Sequence, residues 1–531
     1  MRPEDQERAV VEVTARVVSR IEKQADKGNN NPTVEEILQE ALYYERRRLE
    51  QGGHPKTFKQ DKVFWKNVQK LLPKASKQEQ LQLLNKVVDF HAREIVGHFD
   101  PRVYALATSV VPVGLSLLLN AMSPKAFLRA FPSFPDVTRN VVLQGEVDAL
   151  RRMHELGTVI LVPTHSSNLD SIVLGWSLYA AGLPPFTYGA GINLFINPVL
   201  SFFMHNLGAY TVDRLKKHKL YKDTLKEYCT LSIEYGYDNL FFPGGTRSRS
   251  GGVEQKLKLG LLGSGLKAYL NNVKANRPDH KVFIVPCTLN YHLVLEAETL
   301  IDDHLKEVGK SRYIIIDDEF SKPRRVASFM SGVLSLDSKI FVRFARPLDP
   351  FGNLVDDDGV SMDSKGRAVD ISRYLMDLKG EPVEDPQRDE EYTRELGRIL
   401  ASSYMENNVL CSTHVLAFAL FGKMAKENPG MELYRLLRTG GRTESVTLSE
   451  VRETIDNIIG ELRRLDAIGK VKISETLATG DSAAVIAEAL RHFGTYHTKP
   501  AAIRRGDRLF PLDRNLLYYY HNRALGYDLE V

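Results

Sequence analysis

The stretch "LVPTHSSNLDSI", residues 161 to 172, begins with the pattern of a buried strand and ends with that of a helix. The unbroken apolar run 158–163 is rich in β-branched residues, which is typical of a strand. Ser167 and Asp170 have the spacing of a capping box, which marks a helix start. His165 lies at the junction, where α/β proteins form their sites. The stretch therefore predicts a strand–helix unit with polar chemistry between its two elements.

The same alternation of elements continues along the chain. Further strands are predicted at 185–189, 239–243, 282–291 and 339–347. Helices are predicted at 169–181, 216–235 and 254–272. Strands that alternate with helices form βαβ units, in which the strands pair in parallel. We therefore expect an α/β fold in which helices flank a mostly parallel central sheet.

Helical patterns dominate both ends of the chain. Capping boxes predict the starts of three of these helices: Thr33 to Glu36, Ser76 to Glu79 and Thr447 to Glu450. A chain of 531 residues is too long for one compact core. We expect a helical N-terminal region over 1–135, the α/β domain over 136–352, a linker over 353–390 and a mostly helical C-terminal region over 391–531. No internal repeat is expected.

The composition describes a folded, mildly basic protein. Hydrophobic residues make up 43% and charged residues 26% of the chain, which excludes a disordered protein. The net charge of +4 suits an anionic substrate or an anionic membrane surface. The helix before "GKVKIS" (469–474) resembles part of a winged helix, but no basic recognition face accompanies it. Nucleic acid is therefore not an expected partner.

The cysteines indicate neither a zinc site nor a disulfide framework. The three of them, Cys229, Cys287 and Cys411, are scattered and form no CxxC spacing. This pattern favours a reducing compartment. The N-terminal "MRPEDQERAVVEV" has no apolar signal core, so a signal peptide is not expected.

Two apolar stretches bear on contact with a membrane. Residues 103–122 carry no charge over 20 residues, the length of a span, but Pro112 and Gly114 dilute them. They predict a membrane span, a buried helix pair or a helix in the membrane interface. Residues 197–206 predict either an acyl-chain groove or membrane contact, or else a buried core helix.

Two interpretations of His165 and Asp170 stay open on this stretch alone. In the first, Asp170 caps a helix, and His165 is an ordinary residue at a strand end. In the second, the Asp170 carboxylate accepts the Nδ1–H of His165, which fixes the tautomer and leaves Nε2 as a base. Both use the first helical turn, so one carboxylate can serve both roles.

A glycine-rich loop follows the third predicted strand. The sequence "DNLFFPGGTRSRSGG" (238–252) contains four glycines and two arginines, which suits close backbone approach to a phosphate. It lacks the GK[ST] ending of a P-loop, and a solvated turn is the alternative. Arg214, after a short strand-like run, could reach the same anion. The basic residues behind it, such as Lys216, are typical of an exposed helix face.

Four short sequence blocks between residues 165 and 291 follow one another in an order that is typical of a known family. They are "HSSNLD" (165–170), "GAYTVDR" (208–214), "FPGGTRSRSG" (242–251) and "IVPCTLNY" (284–291). Together they resemble the signature of the glycerolipid acyltransferase family, the HxxxxD acyltransferases, over about 140–350. The second arginine of "TRSRSG" and the helical extensions are similar to the glycerol-3-phosphate and dihydroxyacetone-phosphate acyltransferases. This sequence has Gly244 where the family usually has glutamate, and His292 where the subgroup is often acidic.

The resemblance implies transfer of a fatty acyl group from acyl-CoA or acyl-carrier protein to the sn-1 hydroxyl of glycerol 3-phosphate, the first step of phospholipid synthesis. It also implies peripheral association with the cytoplasmic side of a membrane, and neither a cofactor nor a metal. Dihydroxyacetone phosphate or lysophosphatidate is the alternative acceptor. A lipid-binding homologue with weakened catalysis is the other alternative.

The resemblance also assigns roles to residues. His165 would be the general base and Asp170 its orienting carboxylate. The residues implied for phosphate binding are Arg214, Gly245, Thr246, Arg247, Ser248 and Arg249. The residues implied to shape the site are Phe242, Pro243, Gly244 and Pro286. Cys287 has no histidine or aspartate in its own motif and is expected to be a core residue.

Overall fold

Five helices form the N-terminal part of this computed structural model, which describes residues 1–27, 31–52, 57–109, 140–192, 198–277, 281–308 and 338–531. They are α1 (Pro3–Asp26), α2 (Val34–Glu50), α3 (Phe58–Leu71), α4 (Lys77–Ile95) and α5 (Pro101–Ser109). The capping boxes predicted at Thr33 and Ser76 are both present. Of the apolar stretch 103–122, residues 103–109 belong to α5, and the rest lie outside the described residues.

A seven-stranded sheet follows these helices. Its strands are β1 (Val141–Gly145), β2 (Gly157–Pro163), β3 (Thr187–Gly191), β4 (Ala209–Val212), β5 (Asn239–Leu240), β6 (Lys281–Tyr291) and β7 (Ile340–Phe344). They lie in the order β1-β7-β6-β2-β5-β3-β4. Every neighbouring pair is parallel except β6 and β7. The predicted α/β fold with a mostly parallel sheet is therefore confirmed.

Helices cover both faces of this sheet. They are α6 (Val147–Leu156), α7 (Asp170–Ala180), α8 (Pro198–Asn206), α9 (Lys219–Glu234), α10 (Leu259–Lys274) and α11 (Ala297–Val308). Val159 and Leu161 of β2 pack in the same core as α6 and α7. Ile160 and Val162 point the other way and pack with residues of α9 and α10. A strand buried on both faces needs a continuous apolar run, which explains the pattern of 158–163.

Residues 349–383, which we predicted to be mostly linker, contain an internal repeat that our sequence interpretation missed. Aspartates recur every seven residues at Asp349, Asp356, Asp363, Asp370 and Asp377. Each carboxylate accepts the backbone N–H two residues later, and all but that of Asp370 also accept the N–H four residues later. A glycine with positive φ stands three residues after each aspartate except Asp370. Side-chain-capped turns of this kind need no hydrophobic periodicity, so the segment resembled a linker.

The C-terminal region is helical and packs against the α/β region. After β8 (Leu354–Val355) and β9 (Ser361–Met362), its helices are α12 (Pro386–Asn407), α13 (Ser412–Glu427), α14 (Leu433–Thr439), α15 (Leu448–Ala467), α16 (Glu475–Thr479), α17 (Ser482–Phe493) and α18 (Arg514–His521). Its strands are β10 (Val409–Leu410), β11 (Val446–Thr447), β12 (Lys472–Ile473), β13 (Ala502–Arg505) and β14 (Arg508–Pro511). Residues of α13 and α18 share one hydrophobic core with Leu161 and Val285 of the sheet.

None of the described helices combines the length and apolarity that crossing a membrane requires. Of the apolar stretch 197–206, residues 198–206 form α8, which contacts α5 and β4, and residue 197 lies outside the described residues. Ser201 of this helix is buried, whereas Phe202 is 49% exposed. The helix is therefore not a core helix buried on all sides.

Candidate active site

His165 and Asp170 form a hydrogen-bonded pair at the carboxyl end of β2. Nδ1 of His165 lies 2.8 Å from Oδ2 of Asp170. The Asp170 side chain is fully buried, and that of His165 is 12% exposed. No hydrogen bond involves His165 Nε2 within the described part of the chain. The pair therefore has the geometry of a base and its orienting carboxylate.

Asp170 also organises the turn between β2 and α7. The same Oδ2 accepts the backbone N–H groups of Ser166 at 2.6 Å and Ser167 at 2.9 Å. Its other oxygen, Oδ1, accepts the hydroxyl of Tyr291 at 2.5 Å. The bond from Ser167 is one half of the predicted capping box, although Ser167 Oγ accepts from Leu169 N–H instead of Asp170 N–H. One carboxylate thus supports the start of α7 and holds His165.

The surroundings of His165 favour the neutral imidazole. Burial lowers the pKa of His165, the bond to Asp170 raises it in part, and the charges of Arg247 and Arg214 lower it further. The ring of Phe242 stacks on the imidazole, with centroids 4.1 Å apart. A base must be unprotonated before the reaction begins, so this direction of the shift suits the role.

The glycine-rich loop lies directly against the histidine. β5 ends at Leu240, three residues before the predicted end of the strand, and the glycine-rich loop extends over 241–258, beyond the predicted helix start at 254. The N–H of Ser248 donates to the carbonyl of His165 at 2.7 Å, and the N–H of Lys258 donates to Pro243. Gly245 turns the chain with φ +74°, a backbone conformation that favours glycine. The loop therefore brings its arginines to the side of His165.

Three arginines converge beside the pair. Arg247 lies 3.3 Å from the fully buried carboxylate of Glu296, and Arg249 lies 2.7 Å from the exposed Glu307. Partial burial, and then the charges of Arg247 and Arg249, lower the pKa of Arg214. Arg214 has no carboxylate partner among the described residues. Mutual repulsion of this kind is relieved by an anion, so the cluster has the charge of a phosphate site.

The N-terminal helices hold the segment that carries Arg214. Asp213 is buried 3.9 Å from Arg48 of α2, and the buried His218 lies 3.4 Å from Glu45 of the same helix. Lys216 forms an ion pair with Glu94 of α4 and is 2% exposed. Our interpretation of Lys216 as part of an exposed helix face was therefore wrong, because Lys216 is buried. Its ion-pair partner, Glu94, lies far away in the sequence, so the sequence pattern did not indicate this burial.

The other residues predicted for the site surround this centre. Ser248 uses its hydroxyl to donate to the carbonyl of Gly252 at 2.7 Å. Pro286 is buried in β6 opposite Val162, below the end of β2. Thr246 and Gly244 lie in the loop between Pro243 and Arg247, and both are partly exposed.

Sequence reasoning missed three residues of the site. Tyr291 was part of the fourth block, but its bond to Asp170 was not foreseen. Glu296 accepts from Ser167 Oγ at 2.8 Å and from Asn168 N–H at 3.0 Å, besides pairing with Arg247. Glu254 accepts the backbone N–H of His165 at 2.7 Å. The only signal for the two glutamates was their position shortly after the third and fourth blocks.

Neither a metal nor a cysteine nucleophile is indicated by the described residues. No group of three or more histidine, cysteine, aspartate or glutamate side chains among them is arranged to hold a metal ion. Cys287 is fully buried, and burial, together with the Asp170 charge, raises the pKa of its thiol. The expectation that Cys287 is a core residue is confirmed.

The region of the chain that carries His165 and Asp170 matches a known protein family. The family model described as Acyltransferase matches residues 145–290. A glycerol-3-phosphate acyltransferase of Xanthomonas axonopodis pv. citri is 32% identical over 163 residues, which are 30% of this chain and 18% of that protein. Another, of Alteromonas mediterranea, is 30% identical over 211 residues, 39% of this chain and 24% of that protein. The chain thus covers less than a quarter of these relatives. Residues 145–290 therefore form a domain of the acyltransferase family. The sequence of this chain is similar to part of the glycerol-3-phosphate acyltransferases.

Proposed function

We propose that this protein transfers a fatty acyl group from acyl-CoA or acyl-carrier protein to the sn-1 hydroxyl of glycerol 3-phosphate, the first step of phospholipid synthesis. One observation carries the proposal. His165 is held by Asp170 through Nδ1, its Nε2 has no hydrogen bond to the described residues, and the charges of Arg247 and Arg214 act on its ring. Arg249 lies close enough to Arg214 to act on it in turn, and the three arginines form the arginine cluster. A base beside a phosphate site suits an alcohol that carries a phosphate.

The chemical steps follow from this arrangement. Nε2 of His165 takes the proton of the acceptor hydroxyl as the oxygen attacks the thioester carbonyl carbon. Asp170 keeps Nδ1–H in place and stabilises the imidazolium. The C–S bond then breaks, and the leaving thiolate receives the proton from His165. The acyl group passes directly to the acceptor, because Cys287 is buried with a raised thiol pKa and the Ser167 hydroxyl is bonded to Glu296.

The acceptor phosphate is assigned to the arginine cluster and to the loop of Gly245 and Thr246. Arg247 is central, because it is tied to the buried Glu296 and is therefore held in place before the substrate arrives. Loop N–H groups near Gly244 and Gly245 are further donors for the phosphate or for the oxyanion. In this proposal, side chains and backbone groups of the chain supply the base, the orienting carboxylate and the donors to the anion.

Arg247→Ala is expected to weaken binding of glycerol 3-phosphate. A charge-assisted bond contributes about 1.5–3 kcal/mol, so KM for the acceptor should rise about 10- to 100-fold while KM for the acyl donor changes little. Steady-state kinetics with each substrate varied in turn measure both constants. Arg464→Ala, which removes an exposed arginine of α15, is the control. An unchanged acceptor KM in Arg247→Ala would remove Arg247 from the phosphate site.

The pH dependence should follow the neutral form of His165. Burial and the neighbouring arginines lower the pKa of His165 from its ordinary value of 6.5, so activity is present above the lowered pKa and is lost as pH falls through it. The acid limb of kcat/KM for the acyl donor should therefore have its midpoint below 6.5. In Arg247→Ala the midpoint should move upward, because a repelling cation is gone. A midpoint that moves downward would contradict this assignment.

We also propose peripheral association with the cytoplasmic side of a membrane, through the exposed Phe202 of α8. Transfer of an aromatic side chain from water into the membrane interface contributes roughly 1.5–3 kcal/mol at most, so Phe202→Ser should lower the partition coefficient on anionic vesicles about tenfold. Vesicle flotation measures this coefficient. Leu378→Ser is the control, because Leu378 is an exposed apolar residue of the seven-residue repeat. An equal loss of vesicle binding in both variants would argue against membrane contact through α8.

The proposed acceptor is tested by a panel of alcohols. Thiol release from acyl-CoA and from acyl-carrier protein is measured with glycerol 3-phosphate, dihydroxyacetone phosphate, lysophosphatidate and glycerol. We expect the fastest release with glycerol 3-phosphate and the slowest with glycerol, which lacks the phosphate. Equal rates with glycerol and glycerol 3-phosphate would contradict the phosphate site.

A further inference from the structure

Glu254 is an ionisable residue of the site that the mechanism above does not use. Its Oε1 accepts the backbone N–H of His165 at 2.7 Å, and thus bonds the catalytic residue directly. Its Oε2 is buried and has no hydrogen-bond partner among the described residues. An unpartnered buried carboxyl oxygen is costly, and an apolar side chain would fill the same space at lower cost. The carboxyl group is therefore not explained by packing alone.

The carboxyl of Glu254 occupies the place where a side chain of residue 244 would begin. A Cβ atom added to Gly244 would lie 2.6 Å from Cδ of Glu254 and 3.0 Å from Oε1. Real Cβ atoms do not approach other atoms so closely, so a side chain at position 244 would force the Glu254 carboxyl group to move away from this place. The backbone itself does not require glycine here, because Gly244 is not among the residues with positive φ, unlike the adjacent Gly245.

In this loop, a side chain at position 244 and the carboxyl group of Glu254 therefore compete for the same space. Glu254 reaches this place because the chain turns back after Gly251, and the bond from Lys258 N–H to the carbonyl of Pro243 closes the loop. Once Glu254 is replaced by alanine, we expect a glutamate at position 244 to have room beside the N–H of His165.

We propose that Glu254 is a second positioning residue beside Asp170: it fixes the backbone of His165 against the glycine-rich loop, from the space that Gly244 leaves open. This inference rests on the proposed function. A small displacement of a base from its substrate slows catalysis strongly, so a bond to the backbone of the base is effective even though Glu254 does not touch the reacting atoms.

The charge state of Glu254 agrees with this role. Burial raises the pKa of Glu254 to about 8, while the bond from His165 N–H and the charge of Arg523 oppose the rise and Asp170 adds to it. A neutral carboxyl group still accepts an N–H through its carbonyl oxygen. Glutamine has the same shape and the same acceptor, so Glu254→Gln should keep most of the activity.

The test is a swap of the carboxyl group between the two positions. Glu254→Ala is expected to lower kcat about 10- to 100-fold, with KM for glycerol 3-phosphate within about twofold, because the His165 N–H loses its acceptor. Gly244→Glu should also lower kcat, because its side chain collides with Glu254. The double variant Gly244→Glu with Glu254→Ala should recover to within about threefold of the parent. Gln255→Ala, at the exposed neighbouring position, is the control.

A second readout does not depend on activity. Hydrogen exchange of the His165 amide, followed by mass spectrometry of overlapping peptides, should become about tenfold faster in Glu254→Ala and return to the parent rate in the double variant. If the parent transfers no acyl group to any acceptor, the proposed function fails, but exchange still decides the role of Glu254. The inference is overturned if Glu254→Ala keeps full activity and slow exchange, or if the double variant is no better than the poorer single variant.

Discussion

His165→Ala is expected to lower kcat about 1,000-fold or more, because the acceptor hydroxyl loses the base that removes its proton. Substrate binding should change little, since the arginine cluster and the glycine-rich loop remain. KM for glycerol 3-phosphate and for the acyl donor should therefore stay within about threefold of the parent values. Steady-state kinetics on the purified variant give the three constants.

The structure supplies a matched control for this variant. His154 of α6 also lies beside a carboxylate, with its Nδ1 2.6 Å from Oδ2 of Asp238, but it stands at the opposite end of β2 from His165. His154→Ala should keep kcat within about threefold, because this pair supports the fold and not the chemistry. If His165→Ala, folded as judged by its thermal unfolding, were as active as the parent, His165 would not be the general base.

Asp170→Asn should have the second largest effect, a loss of about 100- to 10,000-fold in kcat. The amide has the shape of the carboxylate, so Oδ1 of the new residue can still accept from Nδ1–H of His165 and from the loop N–H groups. The negative charge that stabilises the imidazolium is gone, however, and the charge matters most in the transition state. The loss should therefore fall on kcat, and acceptor KM should change little.

Tyr291→Phe separates the charge of Asp170 from its hydrogen bonds. This variant removes one neutral donor to Oδ1 and leaves the carboxylate ionised and bonded to His165. A bond from an uncharged hydroxyl to a carboxylate contributes about 1.5 kcal/mol, so kcat should fall about tenfold at most. If Tyr291→Phe lost as much activity as Asp170→Asn, the geometry of the turn would control activity more than the charge.

The parts of the fold that could be predicted are those with local signals. The apolar run of β2 is continuous because both faces of the strand are buried, and six consecutive residues, 158–163, suffice to indicate the strand. The capping boxes at Thr33, Ser76 and Thr447 are local hydrogen-bond patterns, and all three are present. The pair of His165 and Asp170 was predictable for the same reason, because a five-residue spacing places both at one turn.

Features that depend on distant contacts could not be predicted. Lys216 belongs to a basic sequence patch, and only the folded chain shows Glu94 beside it. The direction of β7, antiparallel to β6, also depends on how the intervening chain returns. Glu254 is the clearest example, since its carboxyl reaches the place beside Gly244 only when the loop closes. The seven-residue repeat is different: its aspartates are visible in the sequence, but turns without apolar periodicity have the sequence pattern of a linker.

The most direct test of the central claim is the fate of labelled glycerol 3-phosphate. The purified chain is incubated with the labelled acceptor and acyl-CoA or acyl-carrier protein, and the product is identified by mass spectrometry. We predict one acylated glycerol 3-phosphate for each thiol released, with the acyl group on the sn-1 oxygen, and a rate that falls about 1,000-fold in His165→Ala. Thiol release without an acylated acceptor, or equal product from His165→Ala, would contradict the account.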